Sequence, residues 1–202
     1  MNNVTIQPPG GFGGASILYT FDNTSDDYYG NYNACPINNP GFTSPGYNGR
    51  GSAVQLFKNR SQCFSIANHM DFHNKSFTME AWIYPSNSSL TVTDAIIYVQ
   101  VNSSMAGQAM YTTLRDGRFL GAFYFTNVYG LTLFQPNRWQ HLAFTYNFST
   151  RTQTVYFNGV LGKGNIKRKT SILRLTLFFF RDGINANADP CRVTQGKQPM
   201  KF

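Results

Sequence analysis

The chain is predicted to be all-β, a two-sheet antiparallel β-sandwich. Three observations predict it. Aromatic residues make up 16% of the 202 residues and charged residues only 13%, and Phe and Tyr in such abundance, spaced by Gly, Asn, Ser and Thr, suit many short strands joined by turns. Apolar residues alternate along several segments, while no long helical-period stripe is present, so helix content is expected to be low. A chain of this length also buries one full core, which a single sandwich fills.

Taken in order, residues 1–14 are Pro/Gly-rich and read as a linker. A first strand is expected over 15–21, ended by Asp22. Residues 24–49 lack periodicity and are dominated by Asp, Asn, Tyr, Pro and Gly, which predicts a loop. A loop this long in a compact domain usually carries function or a staple. Short strands are expected over 53–57 and 64–66, paired near each other. Over 77–84 the pattern alternates, with Phe77, Met79, Ala81 and Ile83 on one face and Thr78, Glu80, Trp82 and Tyr84 on the other. Apolar groups on both faces predict a central strand, and Pro85, which has no N–H for a ladder, ends it. Strands over 95–101 and 109–114 follow. Asp116-Gly117 is a tight turn, because glycine takes positive φ at no steric cost, and 118–125 returns as the partner strand. A short strand over 131–134 leads through Pro136-Asn137 into the segment 137–159, around which the rest is arranged. There Leu142, Phe144 and Tyr146 alternate with Ala143 and Thr145, a polar loop of hairpin length covers 147–151, and Val155 and Phe157 alternate with Thr154 and Tyr156. Asn158-Gly159 then turns the chain again. About ten or eleven strands result, enough for two facing sheets.

Four segments carry a family resemblance. Asn-Arg-Trp-x-His-Leu-Ala-Phe-Thr-Tyr from Asn137, followed after the polar loop by Thr-Val-Tyr-Phe-Asn-Gly, resembles the central hairpin of laminin G-like domains of the concanavalin A-like lectin/glucanase superfamily. Phe77-Thr78-Met79-Glu80-Ala81-Trp82-Ile83-Tyr84-Pro85, the lead-in Gly49-Arg50-Gly51-Ser52-Ala53-Val54-Gln55-Leu56, and Leu114-Arg115-Asp116-Gly117-Arg118-Phe119 fall in the order and spacing of that family. The resemblance spans residues 15–162 and implies a jelly-roll sandwich over 15–164. It departs from the family at the C-terminus. Such domains finish with a glycine, an acidic pair and an apolar-basic strand returning beside the first strand. Here 165–202 is atypical: 172–180 suits one strand and the remainder reads as coil, so the closing strand is expected to be missing or altered by truncation or splicing.

Charge follows the same division. Residues 1–160 hold eight Lys/Arg against seven Asp/Glu, a balance of +1, whereas 161–202 hold nine against two, a balance of +7. The basic character belongs to the tail and not to the sandwich, so no nucleic-acid partner is expected. No apolar run is long enough to span a bilayer.

Cys35, Cys63 and Cys191 make an odd count without a Cys-x-x-Cys pair, which argues against structural zinc. A Cys35–Cys63 disulfide is expected, leaving Cys191 over; three thiols are the alternative. Asn-x-Ser/Thr acceptors start at Asn3, Asn23, Asn59, Asn74, Asn87, Asn102 and Asn147, more than composition would place by chance. They point to glycosylation and an extracellular location, either secreted or as the outer part of a membrane protein. The N-terminus has no basic and apolar leader, which suits a fragment.

Catalytic chemistry is thinly represented. Glycosidases of this superfamily need two carboxylates flanking the scissile bond, and Glu80 is the only glutamate. His69, His73 and His141 are the histidines; His141 is expected inside the sandwich and the other two at the surface. Calcium is the one cofactor the resemblance suggests, with Asp26 and Asp27 as the best pair and Asp22, Asp94 and Asp116 as further oxygens. Tyr28, Tyr29, Tyr32 and Tyr47 lie in the Asn/Asp-rich loop, and aromatic faces beside amide and carboxylate groups are what sugar recognition uses. The expected function is a non-enzymatic recognition or adhesion module for a glycan or an extracellular protein. A diverged glycoside hydrolase and a purely structural spacer are the alternatives.

Overall fold

A computed structural model describes residues 16–66, 70–85, 95–101, 109–123, 126–162, 166–167 and 176–179. The strands are β1 (Ala34–Ile37), β2 (Gly41–Thr43), β3 (Ala53–Gln55), β4 (Cys63–Ile66), β5 (Phe77–Ile83), β6 (Ala95–Val101), β7 (Ala109–Arg115), β8 (Arg118–Phe123), β9 (Thr126–Leu133), β10 (Gln140–Asn147), β11 (Thr152–Phe157), β12 (Val160–Leu161), β13 (Ile166–Lys167) and β14 (Thr176–Phe179). A seven-stranded sheet runs β1-β4-β14-β6-β7-β8-β9, and a five-stranded sheet runs β12-β11-β10-β5 with β13 on β11. β2 and β3 make a separate ribbon. Every pairing is antiparallel. The expected all-β sandwich is therefore what the chain forms.

The two large sheets meet through aromatic rings. Phe119 and Phe123 of β8 and Val128 of β9 are buried against Leu142, Phe144 and Tyr146 of β10 and Val155 and Phe157 of β11. The Phe123 ring lies 5.0 Å from Tyr146 and 5.9 Å from Phe144, both edge-on, the geometry that aromatic quadrupoles favour. Phe77 of β5 joins the same cluster, 5.9 Å from Phe144. Phe144 is wholly buried, and its ring occupies the space where a side chain on Gly121 would stand: a Cβ there would lie 2.3 Å from Phe144 Cδ2. The alternation read from 140–157 thus points inward as expected.

Several sequence expectations are corrected. Residues 16–21 are not a strand. Leu18 instead exchanges its backbone groups with the following loop, donating its N–H to Asp27 Oδ1 at 2.9 Å and accepting from the Tyr28 N–H at 2.8 Å, and Phe21 turns to φ 56°. Residues 24–49 are not all loop, because β1 and β2 fall there; strands of four and three residues are too short to show a period. Pro36 is tolerated in β1 because β1 is the outermost strand of its sheet. β4 pairs with β1 and β14, not with β3. β5 is terminal and not central in its sheet, so the aromatic residues of its second face need another explanation. β9 begins at Thr126, earlier than the short strand expected over 131–134. Within 172–180, β14 enters the seven-stranded sheet between β4 and β6.

The expected Cys35–Cys63 disulfide is also overturned. In the β1–β4 register Cys35 faces Ser65, and Cys63 faces Ile37. The two cysteines share a face but stand diagonally, a separation of about 7–8 Å, which a disulfide does not bridge. Cys63 keeps a buried thiol. Cys191 lies outside the described residues. No helix among them is long and apolar enough to cross a membrane.

The Gly121–Phe144 contact yields a direct test. Gly121→Ala should lower unfolding free energy by about 1–3 kcal/mol through overpacking, measured by urea titration. Adding Phe144→Leu should return part of that loss, since it frees the space the methyl needs. Additive losses in the double variant would show that the two positions do not oppose each other.

Candidate functional site

The second face of β5 is where the surface chemistry gathers. Thr78, Glu80, Trp82 and Tyr84 all point away from the core, and Trp82 and Tyr84 are 43% and 49% exposed. Pairing sets their neighbours: Trp82 lies opposite His141 and Glu80 opposite Ala143 on β10, while Ala143 lies opposite Tyr156 on β11. His141 Nε2 stands 3.5 Å from Glu80 Oε2, and its ring is 5.1 Å from Trp82. His141 therefore lies on the outer face, half-buried, and not inside the sandwich as expected.

Two loops bring further rings onto this face. Tyr47 stacks on Trp82 with centroids 3.8 Å apart and planes 22° off parallel. Trp139 stands edge-on to Tyr47 at 6.0 Å and to Tyr84 at 5.5 Å. Both tryptophans of the chain thus share one patch with Tyr47 and Tyr84. The Tyr47 loop is closed by the Gly46 N–H, which donates to Arg50 O and Gly51 O at 3.1 and 3.2 Å. It is tied to the N-terminal segment where the Ser52 N–H donates to Asp22 Oδ1 at 2.8 Å. Trp139 is placed by the preceding turn. Asn137, at φ 57°, donates its N–H to Pro85 O at 2.7 Å. The buried Gln140 side chain accepts from the Gln135 N–H and donates back to Gln135 O, both at 2.7 Å. Such an exposed row of rings offers apolar faces to the C–H groups of a sugar, with Glu80, His141 and the hydroxyls of Thr78, Thr145 and Thr154 on the same face to meet its hydroxyls.

The four loop tyrosines are divided by the structure. Tyr47 joins the platform. Tyr28 and Tyr29 form their own edge-on pair at 5.4 Å. Tyr32 packs against the core, and its carbonyl accepts the Tyr19 hydroxyl. Burial, followed by the nearby Asp27 charge, holds the Tyr19 phenol above its ordinary value.

Asp26 and Asp27 do not fit a calcium site. Asp27 is only 3% exposed, and its carboxylate accepts three backbone N–H groups, from Leu18 at 2.9 Å, Asn31 at 3.1 Å and Tyr32 at 3.2 Å. Donors aimed at both oxygens repel a cation. Asp26 is exposed and takes the Thr24 hydroxyl at 2.9 Å. Among the described residues no three His, Cys, Asp or Glu side chains gather as metal ligands. Asp94 and His69 lie outside the described residues. Of the glycosylation acceptors, Asn23, Asn59, Asn74 and Asn147 are exposed; Asn3, Asn87 and Asn102 lie outside the described residues.

Trp82, Tyr84 and Trp139 were missed as site residues because they sit in the segments that carry the fold. A signal was present: Trp82 and Tyr84 occupy the same phase as Thr78 and Glu80, the polar one, where large rings have no core to fill. The Asp27 network has its own test. Asp27→Asn replaces one acceptor oxygen with an amide facing N–H donors, and should cost roughly 2 kcal/mol of stability in chemical denaturation. A cost within experimental error would mean the carboxylate does not hold the loop.

A family model described as concanavalin A-like lectin/glucanases superfamily, Laminin_G_3, matches residues 58–190. Among solved structures, domain 4 of AbnA, a GH43 extracellular arabinanase from Geobacillus stearothermophilus in complex with arabinotriose, matches with TM-score 0.59 and 15% identity over 83% of this chain and 83% of that one. Domains LG4-5 of the mouse laminin α1 chain match with TM-score 0.44 and 15% identity, over 57% of this chain and 30% of that one. The carbohydrate-binding module CBM66 from Bacillus subtilis matches with TM-score 0.40 and 11% identity, over 75% and 92%. At 15% identity the likeness to AbnA domain 4 speaks to fold alone. No curated protein matches the chain. The family model covers more than half of the sequence, from the segment ahead of β4 past β14, and the chain belongs to the laminin G-like family of the concanavalin A-like lectin/glucanase superfamily.

Proposed function

We propose that the chain is an extracellular, non-catalytic glycan-recognition module whose ligand lies on the outer face of the five-stranded sheet. The observation that carries this reading is the convergence of Tyr47, Trp82, Tyr84 and Trp139 on one exposed patch beside Glu80 and His141. Solvated aromatic rings have no role in the core, and clusters of them mark interaction surfaces. The exposed Asn-x-Ser/Thr acceptors at Asn23, Asn59, Asn74 and Asn147 support an extracellular setting.

A hydrolytic role has little to work with. Glu80 faces His141, and no second carboxylate is placed across the platform from it among the described residues. Asp22 and Asp27 are engaged with backbone N–H groups. Asp71 is bonded to Lys75 at 3.2 Å, its carboxyl held below the ordinary range by the His73 N–H and then Lys75. Asp116 sits on the β7–β8 turn of the other sheet. Two carboxylates flanking one bond are what glycoside hydrolysis requires.

The test is calorimetric titration with soluble trisaccharides, starting with arabinotriose, the ligand in the AbnA domain 4 complex, and including gluco-, xylo- and galacto-series. At least one should bind, and Trp82→Ala should weaken it about tenfold, near the upper range for one aromatic platform. Binding that is unchanged by Trp82→Ala and Trp139→Ala would place the ligand elsewhere and overturn the reading.

A further inference from the structure

The face that carries the platform has a second end. Asn147 is the last residue of β10 and shares the outer face with His141, Ala143 and Thr145, since Tyr146 points into the core. It stands about 20 Å along the strand from His141. Asn147-Phe148-Ser149 is one of the Asn-x-Ser/Thr acceptors, and residues 147–150 are all exposed. Asn147 Oδ1 accepts the Ser149 hydroxyl at 2.8 Å and the Thr150 N–H at 3.0 Å. A backbone N–H can only donate, so it fixes which end of the carboxamide is the oxygen. Nδ2 is turned the other way and donates to no protein group among the described residues. Of the four described acceptors, only this one has its own downstream hydroxyl on its carboxamide. Ser25, two residues past Asn23, donates its hydroxyl to Ala34 O at 2.7 Å. Ser76, two past Asn74, takes the Phe148 N–H at 2.9 Å. No hydrogen bond joins Ser61 to Asn59.

We infer that Asn147 is the favoured attachment point for an N-linked oligosaccharide, carried at the far end of the ligand face. The donor is a lipid-pyrophosphate-linked oligosaccharide. Nδ2 attacks its anomeric carbon, the new C–N bond forms as the C–O bond to pyrophosphate breaks, the pyrophosphate leaves with the electron pair, and one Nδ2 proton passes to a base of the transferase. A transferase must engage the carboxamide and the hydroxyl two residues on together. At Asn147 these groups already meet through bonds that span at most three residues, and such local side-chain turns form ahead of the tertiary fold. The bonds that hold Ser25 and Ser76 are not of this kind, since they wait on partners nine and seventy-two positions away. Once attached, the sugar displaces no hydrogen bond, because only the unpartnered Nδ2 carries it. The inference rests on the extracellular setting proposed above and not on the Trp82 platform.

The test is to secrete the full chain from cultured animal cells behind a cleavable leader and measure occupancy of each acceptor by peptide mass spectrometry. Asn147 should carry sugar, and more fully than Asn23, Asn59 or Asn74. Ser149→Ala should remove one glycan from the chain, and Ser149→Thr, which keeps the hydroxyl, should retain it. The melting temperature of the glycosylated chain should equal or exceed that of Ser149→Ala. A bare Asn147 beside sugar on another acceptor would overturn the inference and leave the extracellular reading standing. Bare asparagine at every acceptor would overturn it together with the support those acceptors lend that reading. Fuller occupancy at Asn23, Asn59 or Asn74 than at Asn147, or a higher melting temperature in Ser149→Ala, would overturn it as well.

Discussion

The placement of Phe144 over Gly121 is the contact on which the rest depends. A ring of that size between two sheets is accommodated only because the facing strand carries no side chain at that point. It pins β10 in depth and in register, and β10 is flanked by β5 and β11. Because successive side chains point to opposite faces, a shift of one residue would move the whole apolar set of β10 outward. With Leu142, Phe144 and Tyr146 inside, His141, Ala143 and Thr145 must lie on the outer face of the sheet. Pairing then brings Trp82 beside His141, and Glu80 and Tyr156 to either side of the small Ala143. The surface platform is the other half of the packing pattern that makes the core.

The loops complete what the sheet begins. Tyr47 reaches Trp82 from a turn closed by its own backbone and anchored through Ser52 and Asp22, and Gln140 holds the turn that carries Trp139. These are polar contacts to backbone groups, which order a loop at a modest net gain per bond. Hydrogen bonds behind the platform therefore hold the loops that carry Tyr47 and Trp139, and Tyr47 stacks on Trp82. Asp27 plays the same part for the N-terminal segment, which is why a carboxylate that looked like a metal ligand serves as a clasp.

Much of this was legible in the sequence, and what was not shares a physical cause. Strands of six to eight residues, such as β5, β10 and β11, display their alternation, and their bounds lie close to those expected. β1 and β2 were hidden because three or four residues cannot show a period, and β9 because Gly130 interrupts its alternation. Tyr47 was singled out by the company of its loop, while its partners Trp82 and Trp139 were not. A stack between residues thirty-five positions apart is a tertiary event that local pattern does not encode. The Cys35–Cys63 pairing failed for the same reason, since only the register shows that the two stand diagonally.

The chain has two tryptophans, so a ¹⁵N-labelled sample has two indole N–H signals. Following them by NMR while titrating a trisaccharide that binds tests the link between fold and surface most directly. The account predicts that both indole signals move together and saturate with the same affinity that calorimetry reports. Saturated binding with both signals unmoved would contradict it.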